Sequence, residues 1–120
     1  SIEKHFSGKV VFSSITYEQL QEHNIPKESA MEGLIGSLLR SVVDWDLVAS
    51  LVEAEPNVVT VSLRTRDENT FDVSKISKAV GIKGGGHKGA AGTTILLPIK
   101  EAKTELINKI EELFPILGMR

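Results

Sequence analysis

Apolar and polar positions change period several times along this chain, and each change marks an element. Val58 to Arg66 alternates with period two. Val59, Val61 and Leu63 share one face, and Thr60, Ser62, Arg64 and Arg66 share the other. Two arginines and two small hydroxyls on one side of an otherwise apolar strand predict a face turned to solvent or to a ligand. Trp45 to Glu53 is also strand-like, with Trp45, Leu47, Ala49 and Leu51 expected on one face and Val48 and Val52 on the other. Glu55-Pro56-Asn57 reads as the turn that makes these two segments an antiparallel pair. Short apolar runs at 10–14 (Val10-Val11-Phe12, closed by Ser13 and Ser14) and at Thr93 to Leu97 supply two further strands.

Helical spacing fills the rest. Thr16, three residues before Gln19, predicts a capped short helix that ends near Asn24, ahead of Pro26. Ser29, Ala30, Met31, Leu34, Ile35, Leu38, Leu39 and Val42 recur at three- and four-residue intervals, which predicts an amphipathic helix from Lys27 to about Val43. Asp72 or Ser74 caps a short helix ending at Gly81, with Ile76, Ala79 and Val80 on its buried face. Pro98 opens the last helix, whose apolar stripe is Ile99, Ala102, Leu106, Ile110, Leu113 and Phe114, and Pro115 stops it. Strands interleaved with helices give an α/β class: a small mixed β-sheet packed with helices. At 120 residues the chain is one domain, 1–120.

Composition narrows the function classes. There is no cysteine, which excludes thiol chemistry and cysteine-ligated metal and suits a cytoplasmic protein. No run approaches the roughly 18 apolar residues of a membrane span, so no membrane partner is expected. The chain opens on Ser1, as a processed product or a piece of something longer would. Net charge is -2, which argues against broad affinity for nucleic acid. Its distribution is uneven: Thr60 to Gly92 carries +3 and the remainder -5. A small anion fits a compact basic window better than a long duplex does.

That window contains Lys83-Gly84-Gly85-Gly86-His87-Lys88-Gly89-Ala90-Ala91-Gly92. Glycine reaches backbone angles closed to other residues, so bare amides of Gly84, Gly85 and Gly86 are candidates for gripping an anionic oxygen. The plainer alternative is a tight turn between a helix and the next strand, with a turn of helix across Lys88 to Ala91 compatible with either. The spacing is neither a P-loop nor a dinucleotide fingerprint. His87 is a candidate donor to a phosphate or ribose oxygen, with a purely structural role as the alternative. Arg64 is the second main candidate, because a planar guanidinium binds phosphate bidentately or stacks on a base. Ser62, Arg66, Lys83 and Lys88 are weaker candidates. The histidines are dispersed, and Asp44 and Asp46 around Trp45 read more simply as turn residues than as metal ligands. Neither a catalytic group nor a metal ligand is expected: the chain alone binds and does not catalyse.

Val61-Ser62-Leu63-Arg64-Thr65-Arg66, Asp72 to Ala79 and Gly84-Gly85-Gly86-His87-Lys88-Gly89-Ala90-Ala91-Gly92 together resemble the C-terminal DHH-associated domain of the DHH phosphoesterase superfamily. Relatives of that kind include RecJ-type exonucleases, oligoribonuclease/phosphoadenosine-phosphate phosphatases, cyclic dinucleotide phosphodiesterases and exopolyphosphatases. The resemblance implies the substrate-binding half of a two-domain enzyme. Its other half would be an N-terminal Asp-His-His domain holding manganese or other divalent ions, and that motif is absent from this chain. It also implies that Gly84, Gly85, Gly86 and His87 bind phosphate and that Arg64 contacts phosphate or base. A short single-stranded nucleic acid or a small nucleotide is then the expected partner, with homodimerisation as an option. Where relatives often carry a glycine before the triplet, this chain has Lys83. The same type of domain ends alanyl-tRNA synthetases, so an RNA-associated module is the rival reading; a ligand-free structural or regulatory domain is the third.

Overall fold

Six strands hydrogen-bond in the order β1-β2-β3-β4-β6-β5. The computed structural model describes residues 2–41 and 44–118. The strands are β1 (Ile2–His5), β2 (Val10–Ile15), β3 (Leu47–Glu55), β4 (Val58–Thr65), β5 (Ile82–Gly86) and β6 (Ala90–Ile95). The helices are α1 (Tyr17–Glu22), α2 (Lys27–Ser41), α3 (Val73–Val80) and α4 (Ile99–Leu113), with a 3-10 turn at Pro115–Gly118. Only β2 and β3 run parallel; every other pair is antiparallel. The mixed sheet packed with helices matches the expectation. Two edge strands, β1 and β5, went unread in the sequence because both are short and one is mostly glycine.

Alternation sorts the two faces. Val10, Phe12, Leu47, Ala49, Leu51, Val59, Val61 and Leu63 are buried together with α3 and α4. Ile76 of α3 and Ala102, Leu106 and Ile110 of α4 meet them, and Phe71 closes edge-on against Phe114. The second face is covered only in part. Helices α1 and α2 lie over β2 and β3, where Val11, Leu38, Trp45 and Val48 form one cluster and Leu20, Ala30 and Val52 another. Beyond them, Thr60, Ser62 and Arg64 of β4 and Gly92 and Thr94 of β6 are half-exposed.

Local signals behave as the sequence predicts at most helix ends. Thr16 and Gln19 form a reciprocal capping box. Asp72, rather than Ser74, caps α3, accepting from the Ser74 N–H at 3.0 Å. Two face assignments need correction. Trp45 packs with Val11, Leu38 and Val48 and not with Leu47. The Asp46 and Leu47 N–H groups both donate to the Lys9 carbonyl (2.7 and 3.1 Å), so regular alternation begins only at Leu47 and the indole falls on the opposite side. Ala79 is exposed, because α3 is centred on Val73, Ile76, Ser77 and Val80. The expected end of α2 at Val43 lies outside the described residues.

The hydrogen bond from the Ser74 hydroxyl, aided by its N–H, holds the Asp72 carboxyl below the usual carboxylate range. A depressed folded value contributes stability that is fully present above about pH 4 and is lost as pH falls through the folded value. Thermal melts of the wild-type chain and Asp72→Ala should therefore differ at pH 7 and converge as pH drops from about 4 toward 2. A gap that persisted unchanged at low pH would mean the cap does not act through its charge.

Candidate functional site

Arg64 sits in the middle of the uncovered part of the sheet. Its neighbours across β4 are Val48 of β3 and Ala90 of β6, and neither side chain can accept a hydrogen bond. Arg64 is half-exposed, yet its Nε is buried and has no hydrogen-bond partner among the described residues. Leaving a buried donor unmet costs about 1–3 kcal/mol, more for a charged group.

The glycine run is not the loop that the sequence suggests. It forms β5, an edge strand paired antiparallel to β6, and His87 to Gly89 make the connecting turn. Lys88 to Ala91 hold no helical turn, since Ala90 and Ala91 pair with Arg64 and Leu63 in the sheet. Glycine reads as a breaker in isolation; here close packing against α3 requires it. A Cβ on Gly84 would collide with the Ser77 carbonyl of α3. Gly86 has φ +124° and lies so close to β6 that a Cβ would meet the Ala91 Cα at 2.6 Å. Packing and backbone angle thus explain both of those glycines. Gly85 differs: a Cβ there would meet nothing within 4 Å, and its φ is not positive. Nothing inside the protein asks for glycine at 85.

The register then gathers the open face into rows. Ser62 pairs with Gly92, which pairs with Gly85. Arg64 pairs with Ala90, and Ala90 exchanges backbone hydrogen bonds with His87 (2.8 and 3.3 Å). Cross-strand partners point to the same side, so Ser62, Arg64, Gly85, Gly92 and His87 share one face. With strands about 4.8 Å apart, the backbones of Arg64 and His87 are about 10 Å from each other, a gap that the arginine side chain can largely span. The His87 ring is exposed and forms no hydrogen bond among the described residues. Since His87 and Ala90 form a hydrogen-bonded pair, the next pair, Gly86 and Ala91, is of the other kind, and the Gly86 amide turns to the free edge. The fold therefore offers alternate amides rather than three in a row. Ser77 fixes the strand from behind, its hydroxyl 3.0 Å from the Ser74 carbonyl and 3.2 Å from that of Gly85.

The weaker candidates scatter. Lys83 takes φ +54°, the left-handed conformation that suits glycine, and is exposed at the start of β5. Lys88 is exposed at the tip of the turn, where its carbonyl accepts the Val73 N–H at 3.0 Å. Arg66 lies one step beyond the sheet, its guanidinium 4.1 Å above the Trp45 ring. Gly92 belongs to the bare patch although the sequence reading assigned it no role. Only the pairing of Ser62 with Gly92 reveals it, and strand order is not legible from the chain alone. Among the described residues no group of three or more His, Cys, Asp or Glu could hold a metal ion, and no helix is long and apolar enough to cross a membrane.

A mixed sheet with one half-covered face, an arginine on that face and a glycine edge beside it define a small α/β domain. The DHHA1 domain family matches residues 8–115, and the chain belongs to that family. No curated protein matches. Among solved structures, an exopolyphosphatase-related protein from Bacteroides fragilis aligns at TM-score 0.80 and 20% identity, over 98% of this chain and 33% of that one. The C-Ala domain of Aquifex aeolicus alanyl-tRNA synthetase aligns at TM-score 0.60 and 13% identity, over 95% of this chain and 97% of that domain. PggH, a pGpG-specific phosphodiesterase from Vibrio cholerae, aligns at TM-score 0.58 and 14% identity, over 93% of this chain and 34% of that one. At these identities the likeness is one of fold. The chain spans about a third of the exopolyphosphatase-related protein and of PggH.

The separate roles of the three glycines can be checked by thermal melts. Gly84→Ala and Gly86→Ala should each lower Tm by several degrees, because backbone must move or strain. Gly85→Ala should leave Tm within a degree or two of wild type. A Gly85→Ala variant as unstable as the other two would show that packing, not the open face, demands the glycine.

Proposed function

We propose that this chain is the substrate-binding part of a phosphoesterase and that its open sheet face receives the phosphate of a small nucleotide or short single-stranded oligonucleotide. The observation that carries the reading is the buried, unpartnered Nε of Arg64 beside a glycine that no packing requires. A phosphate oxygen above Ala90 would accept from the guanidinium on one side and from the His87 ring on the other. The bare Gly85–Gly92 patch lets the ligand lie close to the backbone, and Ser62 adds a hydroxyl donor. Lys83 and Lys88 raise the local positive potential around this edge.

In this reading hydrolysis belongs to a second domain of the parent protein, where manganese or another divalent ion would activate the attacking water. The described residues of this chain do not suit such an ion, and its own work is to bind and align. Holding the phosphate in place lowers the entropic part of the barrier, which is how a domain without a catalytic group contributes to rate. The lack of cysteine suits a cytoplasmic setting. The alignment over nearly all of the alanyl-tRNA synthetase C-Ala domain keeps a second reading in play, an RNA-associated module.

Calorimetric titration with nucleoside monophosphates, a dinucleotide and pyrophosphate decides between these readings. The expected result is weak binding, in the high micromolar to millimolar range, because one side of the cleft is contributed elsewhere. Arg64→Ala and Gly85→Val should each weaken it about tenfold or more, and His87→Ala by a smaller factor. Binding that ignores Arg64→Ala and Gly85→Val would overturn the site. Binding to a transfer RNA acceptor stem but to none of the small phosphates would favour the RNA module.

A further inference from the structure

We infer that the pocket formed by Trp45, Arg66, Asp44 and Asp46 is a nucleobase subsite that selects guanine. The inference deepens the phosphate reading above and rests on it. The pocket is open, about 480 Å³, and lined by Lys9, Asp44, Trp45, Asp46 and Arg66. Its floor is the indole of Trp45, which is only 7% exposed and whose Nε1 has no hydrogen-bond partner among the described residues. The Arg66 Cζ lies over that ring, 4.1 Å from its centroid. Arginine on an aromatic ring presents a second planar face outward, and a base can complete the stack.

Position and chemistry agree. Arg66 follows Arg64 by two residues on the same face, about 7 Å along the strand. That step is comparable to the distance from phosphate to base within one nucleotide. A phosphate held by Arg64 would bring its own base toward Arg66, just past the end of β4. The rim carries two carboxylates. Asp46 is partly exposed and only loosely paired with Lys9 at 3.7 Å, and Asp44 is exposed. Ionised carboxylates are pure acceptors, so they suit a base edge that presents adjacent N–H donors. Guanine offers two such groups, N1–H and the 2-amino group. Uracil offers a single N–H between two carbonyl oxygens that the carboxylates would repel, and adenine and cytosine offer one amine beside a bare ring acceptor.

Trp45 is the sole tryptophan, so its emission reports on this pocket alone. The test titrates the 120-residue chain with GMP, AMP, CMP, UMP, ribose 5-phosphate and pyrophosphate, following calorimetry and Trp45 fluorescence together. GMP should bind about tenfold tighter than ribose 5-phosphate and several-fold tighter than the other nucleotides, and only ligands with a base should change the emission markedly. In Arg66→Lys, which keeps charge but loses the planar stack, the GMP advantage over ribose 5-phosphate should shrink to within about twofold. Paired Asp44→Asn and Asp46→Asn changes should abolish the preference for GMP over AMP. If ribose 5-phosphate and pyrophosphate bind but GMP binds no tighter, the base subsite is overturned and the phosphate reading stands. A preference for another base overturns the guanine assignment. If none of the phosphates binds, both readings fall.

Discussion

The site depends on the register that locks β4 between β3 and β6. Side chains along a strand alternate strictly, so one register decides at once that Leu63 enters the core and that Arg64 leaves it. A slip of one residue would bury a guanidinium under α3 and α4 and expose three aliphatic side chains. Burial of Val59, Val61 and Leu63 against α4 therefore pins Arg64 to the open face as firmly as any direct contact could. The same pairing carries Ser62 to Gly92 and Gly85, and Arg64 to Ala90 and His87. Core packing and site assembly are one constraint seen from opposite sides of the sheet.

Uneven cover makes the second face usable. Helix α2 lies mainly over β2 and β3, where Ser13 and Ser50 are buried in the same row as Ser62. Past α2 the row continues with small side chains or none, giving a shallow floor with a charged post at Arg64 and an aromatic corner at Trp45. Helix α3 supports that floor from the core side. Its tight approach to Gly84 and the Ser77 hydroxyl near Gly85 tie the edge strand to the core.

Much of this was legible in the chain. Alternation in Val58 to Arg66 separated the core face from the open face, and the Thr16–Gln19 and Asp72 caps placed two helix starts. The chain could not reveal that the glycines form a strand, because their need for glycine arises from α3 and β6, which are distant contacts with no local signature. Nor could it divide the triplet into Gly84 and Gly86, demanded by space and backbone angle, and Gly85, demanded by neither. Trp45 was misplaced for a related reason: the shared Lys9 carbonyl that bends the chain before β3 is a tertiary contact. Lys83 shows the limit of propensity, since a lysine occupies a left-handed conformation that local preference assigns to glycine.

The central claim is that the Arg64 Nε–H stands unmet until an oxyanion arrives. Its proton–nitrogen correlation in an NMR titration with pyrophosphate reports on that bond directly. The account predicts a marked downfield shift and slowed solvent exchange of the Arg64 Nε–H, accompanied by shifts of the Gly85 and Gly86 amides. An Arg64 resonance that stays put while ligand binds elsewhere, or that is already shifted and protected in the free protein, would contradict it.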